Sequence, residues 1–109
     1  MESIANTPKP PYYAVIFTSV LFNTEVEYNE MAEKMDELAK KQSGYLGIES
    51  VRDNSLLGIT VSYWIDEESI LDWKNNVDHK LAQRYGKEKW YQSYTVRITI
   101  VKKEYGFEG

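Results

Sequence analysis

The sequence predicts an α+β domain: one four-stranded antiparallel sheet with helices on one face, in the order β-α-β-β-α-β. Three observations carry this. Tyr12 to Phe22 is an uncharged run of β-branched and aromatic residues, the composition of a strand. Tyr28, Met31, Ala32, Met35, Leu38 and Ala39 recur at spacings of three and four, which makes one apolar stripe on a helix. Two further strand-like runs meet at Asp53-Asn54-Ser55, a connection short enough to make them an antiparallel hairpin.

The elements follow in order. Residues 1–11 hold all three prolines, so they predict an extended N-terminal arm. Residues 12–109 form one domain. The first strand has no charge on either alternating face, which predicts that both faces are covered. Thr24 and Glu27 fit a capping box for the first helix, which runs to about Gln42. Gly44 suits the left-handed position beyond the helix end. Tyr45 to Arg52 is the second strand and Leu56 to Trp64 the third. Gly58 marks a bulge or a close approach. Asp66 caps the next helix. The stretch Asn75-Asn76-Val77-Asp78 has poor helix propensity and good capping residues; a break there would start a second helical piece from Asp78 to Tyr85, ending at Gly86. Ser93 to Glu104 is the last strand, with Tyr94, Val96, Ile98 and Ile100 on one face. This is the split β-α-β, ferredoxin-like arrangement.

Composition narrows the function. The chain has 109 residues, 42% of them hydrophobic, no cysteine, and a net charge of −4. That length supports one modest core. Without cysteine there is no disulfide, thiolate metal site or cysteine nucleophile, which fits a cytoplasmic protein. The acidic balance and the lack of a basic run argue against nucleic acid. No apolar run is long enough to span a bilayer. Glu2 and the absence of an apolar stretch argue against a signal peptide. With one histidine and no carboxylate pair at ligand spacing with it, no metal site is expected. No glycine-rich phosphate loop is present either.

All three tryptophans and the single histidine fall between Ser62 and Tyr94. Within it, Asp72-Trp73-Lys74, His79-Lys80, Ala82-Gln83-Arg84, Gly86-Lys87, Trp90-Tyr91-Gln92, Tyr94 and Val96-Arg97 resemble the antibiotic biosynthesis monooxygenase domain. The closing Glu104-Tyr105-Gly106-Phe107 belongs to the same resemblance, which covers nearly all of Tyr12 to Phe107. It implies a dimeric α+β barrel, two sheets meeting across a homodimer, with a pocket between each sheet and its own helices. Members include cofactor-independent oxygenases of aromatic polyketides, haem-degrading enzymes and quinol oxygenases. The haem-degrading branch has an asparagine in the first strand, a tryptophan matched here by Trp73, and a histidine ten residues later. Here that later position is Gln83, and the first strand has no asparagine, which speaks against haem. His79 lies one turn before Gln83 and reaches the ligand position only if the helix shifts by a turn.

The resemblance thus implies a small cofactor-independent monooxygenase acting on a planar aromatic of the phenol or hydroquinone type. Trp73 packs the substrate, and His79 or Gln83 polarises or deprotonates its oxygen. Tyr63 and Tyr94 are on strands compatible with the pocket and can bond a ligand oxygen. Each has a plainer alternative: His79 as a surface or capping residue, Trp73 as core, and Arg97 as a cross-sheet partner of Glu49. A non-catalytic small-molecule-binding barrel and a haem-handling protein are the competing functions. Oxygen uptake with a test hydroquinone separates the first, and a Soret band with haemin the second. The expected partners are a second copy of the chain and a small hydrophobic molecule. The tail Lys102 to Phe107 is expected to cross to that copy. Uncharged strand faces left bare would exceed the apolar patch a monomer tolerates.

Overall fold

Four strands and two helices appear in the predicted order in the computed structural model. It describes residues 4–22, 26–84 and 91–109, and within the helices the side chains of 32–41 and 67–77. The strands are β1 (Tyr12–Leu21), β2 (Tyr45–Arg52), β3 (Leu57–Trp64) and β4 (Tyr91–Val101); the helices are α1 (Val26–Lys41) and α2 (Glu67–Arg84). The sheet order is β2-β3-β1-β4 with every neighbouring pair antiparallel. This is the α+β, ferredoxin-like fold. Among the described residues no helix is long and apolar enough to cross a membrane.

Local chemistry fixes the ends of the elements. The Thr24 capping box lies outside the described residues. At the other end of α1, Gly44 has φ +90°, the left-handed conformation glycine tolerates best. A β-carbon there would come within 2.1 Å of Ser69 Oγ. At the hairpin, the Asp53 carboxylate accepts from Ser55 N at 2.8 Å and Ser55 Oγ at 2.6 Å. Asp66 caps α2 by accepting from Ser69 N at 2.8 Å, and Glu67 and Glu68 in the first turn favour the helix dipole.

Two expectations are corrected. α2 does not break at Asn75–Asp78 but runs 18 residues without interruption. Val77 packs into the core around Leu21, and Asn76 Nδ2 donates to Asp72 O at 3.2 Å. Tertiary packing outweighs weak propensity here. The Arg97–Glu49 pair does not form. Both lie in one cross-sheet row, Glu49–Val61–Ile16–Arg97, but on opposite edges, about 14 Å apart at three strand spacings. Gly58 does mark a close approach, by a side chain: a β-carbon there would lie 2.4 Å from Arg52 Cζ. The Arg52 guanidinium donates to Leu56 O at 2.6 Å and Ser19 Oγ at 2.7 Å.

Directly paired residues share a sheet face. Tyr13, Val15, Phe17, Ser19 and Leu21 face the helices. The buried core there divides in two. Leu21 packs with Ala32, Met35, Leu56, Val77 and Tyr91. Val15, Ala39, Trp64 and Ile70 pack with Tyr13, Tyr45 and Trp73. The other face carries Tyr12, Ala14, Ile16, Thr18 and Val20, and no helix covers it. The N-terminal arm docks at one end of that face. Ala5 N donates to Glu49 Oε2 at 2.9 Å, and Thr7 Oγ1 donates to Glu104 Oε1 at 2.8 Å. The Tyr12 hydroxyl donates to Glu104 as well, and Tyr12 is only 4% exposed.

Candidate functional site

Trp73 projects from the apolar stripe of α2 that also carries Ile70 and Val77. Its ring lies 5.4 Å from that of Trp64, tilted by 37°. Trp64 is completely buried, and its Nε1 donates to Ser62 Oγ at 2.9 Å. Tyr45 meets the other side of Trp64 edge-on at 5.7 Å. The Trp73 ring is therefore held by a rigid aromatic neighbour. Its own Nε1 is buried and has no hydrogen-bond partner among the described residues. An unpaired buried N–H costs about 1–3 kcal/mol, which a ligand oxygen accepting that proton would recover.

Val15 pairs with Ile98 and Tyr13 with Ile100, so β4 continues the helix-facing floor. Among the described residues the helices pack mainly over β2 and β3, and Tyr91 at the start of β4 joins the cluster around Leu21. Tyr94, Val96, Ile98 and Ile100 are 41–52% exposed. They form an apolar shelf along β4, and Val15 of the neighbouring β1 belongs to the core cluster against which Trp73 packs. At its far end Phe17, Tyr91 and Tyr94 contact one another with centroids 5.5–5.6 Å apart. No charged side chain belongs to the shelf. Such an uncharged apolar surface can take the flat face of a ring. A separate cleft of about 230 Å³ lies between the helix ends, lined by Gln42, Ser43, Asp66, Glu68, Ser69 and Asp72. It is polar and acidic, and does not include Trp73.

The five site residues expected from sequence do not converge. Trp73 and Tyr94 lie on the helix side. Tyr63 is on the opposite face and is corrected as a pocket residue. Its hydroxyl donates to Glu49 Oε1 at 2.5 Å, and its ring meets Tyr12 edge-on at 5.8 Å. Burial first, and then the Glu49 carboxylate, push the Tyr63 phenol well above its ordinary range. Burial and Glu104 raise Tyr12 in the same way. His79 and Gln83 are on α2, but their side chains lie outside the described residues. Helix geometry places Gln83 about 80° around from Trp73 and His79 about 120°. Sequence reasoning missed the shelf. The alternation on β4 was visible, but the exposure of Tyr94, Val96, Ile98 and Ile100 was not.

The sequence profile of the antibiotic biosynthesis monooxygenase family matches residues 11–85. The uncharacterized protein YqjZ of Bacillus subtilis (strain 168) is 44% identical over 108 residues, spanning 99% of this chain and 95% of that protein. Among solved structures, NE2512 of Nitrosomonas europaea, a protein of unknown function, superposes with a TM-score of 0.70 at 12% identity, covering 91% of this chain and 97% of that one. SnoaB, a cofactor-independent oxygenase from Streptomyces nogalater, superposes with a TM-score of 0.63 at 10% identity, covering 92% and 100%. With its profile match running from the arm's end through α2, and a full-length relative at that identity, the chain belongs to the antibiotic biosynthesis monooxygenase family.

Proposed function

We propose that this protein is a small monooxygenase that needs no cofactor and oxidises a planar aromatic of the phenol or hydroquinone type on the shelf beside Trp73. The observation that carries this reading is the buried Trp73 N–H, which has no hydrogen-bond partner among the described residues. The structural likeness to SnoaB supports it. Such chemistry starts from an electron-rich anion, which itself reduces dioxygen. For a phenol oxidised to a quinone, one oxygen atom enters the ring and the other leaves as water, and the substrate supplies the electrons. The chain's part is to bind, orient and exclude water. Trp73 Nε1–H donates to the ligand oxygen or to the reduced dioxygen, where negative charge develops. His79 or Gln83, from the same helix, takes or polarises the substrate's proton. Oxygen uptake with a test naphthohydroquinone, compared between the wild-type chain and Trp73→Phe, tests this. Equal rates after subtraction of autoxidation would remove Trp73 from the mechanism.

The assembly that goes with this reading is a homodimer across the helix-free face. Val51, Ile59 and Leu57 are 69%, 41% and 40% exposed there, beyond the end taken by the arm. A second sheet at about 10 Å would remove them from water. Tyr105 and Phe107, fully exposed beyond β4, are free to reach that second copy.

A further inference from the structure

We infer that Trp73, Trp64 and Tyr45 form a one-electron relay that carries a stray oxidising equivalent from the oxygen-handling side of Trp73 to the protein surface at Tyr45. The inference rests on the reading of Trp73 as the site of oxygen chemistry.

Indole and phenol rings are among the most easily oxidised side chains, and this chain has no cysteine to compete with them. The three rings are in contact, at 5.4 Å and then 5.7 Å between centroids. Trp64 is completely buried, so charge arriving there leaves only through a neighbouring ring. Its N–H is held by the Ser62 hydroxyl at 2.9 Å. A hydroxyl is too weak a base to take the proton of an oxidised indole, so the hole on Trp64 is not pinned by proton loss. Tyr45 differs. It is half-buried and reaches solvent, so once oxidised its phenol can lose the O–H proton to water, and the last step runs toward Tyr45.

The electrons balance as follows. A hydroperoxyl or organic peroxyl radical that escapes recombination on the shelf takes one electron from Trp73 and a proton from water, and becomes a hydroperoxide. Trp64 refills Trp73, and Tyr45 refills Trp64. Tyr45 releases its O–H proton to water and becomes a neutral phenoxyl radical. A dissolved ascorbate or thiol returns a hydrogen atom to it. Trp73 is thereby spared irreversible oxidation.

The test is pulse radiolysis with azidyl radicals, which oxidise indoles without any substrate, on a Trp90→Phe background that leaves only Trp64 and Trp73. The indolyl absorption should decay as the phenoxyl absorption rises, at a rate independent of protein concentration. Peptide mapping after steady radiolysis should find the tyrosine oxidation at Tyr45. Tyr45→Phe, which keeps the ring and the fold, should abolish that step. Trp64→Phe should slow it on the order of tenfold. An unchanged rate and yield in Tyr45→Phe would overturn the relay, as would oxidation mapped to other tyrosines. An unchanged rate in a folded Trp64→Phe would do the same. If Trp64→Phe does not fold, the Tyr45→Phe result decides. Because no substrate is present, a failed relay with intact oxygen uptake removes the relay alone. An intact relay without oxygen uptake removes the monooxygenase reading alone.

Discussion

Trp73 and Tyr63 are both aromatic residues with a polar tip, and both are plausible ligand contacts from sequence. They lie on opposite faces of the sheet and their donors have opposite fates. Tyr63 donates to Glu49, which also accepts from Ala5 N of the arm. Trp73 is half-buried, and its buried N–H has no partner among the described residues. A donor satisfied by a carboxylate is part of the scaffold. A buried donor left without an acceptor is the feature of a site. Burial alone does not separate the two; the accounting of acceptors does.

The largest effect expected from breaking this comparison is on the support of Trp73. Trp64→Ala should destabilise the fold by about 3–5 kcal/mol in urea titrations, because a completely buried ring leaves a cavity under Trp73. Next, Trp73→Phe keeps a ring but removes the N–H. It should lower hydroquinone-dependent oxygen uptake by about a hundredfold while costing less stability than Trp64→Ala. The helix-free face gives the third test. At low micromolar concentration the wild-type chain should scatter light as twice its 12.7 kDa. Ile59→Asp should weaken that dimer by about 2 kcal/mol or more. A wild-type monomer would remove the barrel.

Tyr63→Phe sharpens the contrast with Trp73→Phe. It should cost about 1–2 kcal/mol of stability, from the lost bond to a charged acceptor, and leave oxygen uptake untouched. The smallest effect concerns pH. Hydrogen bonds from Tyr12 and Thr7 hold the exposed Glu104 carboxyl below its ordinary range. A folded-state pKa below the unfolded one contributes stability above the unfolded value, and that stability is lost as pH falls through the folded value. Acid titration followed by circular dichroism should therefore show a shallower loss below the ordinary carboxylate range in Glu104→Gln than in the wild-type chain. The Glu104→Gln arm should also become more sensitive to proteolysis near Thr7.

The features readable from the residues alone are those that local chemistry controls. The order β-α-β-β-α-β, the bounds of β2 at Tyr45 and Arg52, the cap at Asp66 and the turn at Asp53 were legible, because period, propensity and capping act over a few residues. Tertiary structure decided the rest. It carried α2 through Asn75–Asp78, because Val77 gains a place against Leu21 that no local propensity reports. It kept Arg97 from Glu49, because the strand order puts them on opposite edges although they share a row. It gave Tyr63 to Glu49 and the arm, left Tyr94, Val96, Ile98 and Ile100 exposed on β4, and brought the rings of Trp73, Trp64 and Tyr45 together from three different elements. Those outcomes depend on which surfaces meet over long sequence separations, and a donor has a partner, or lacks one, only after they have met.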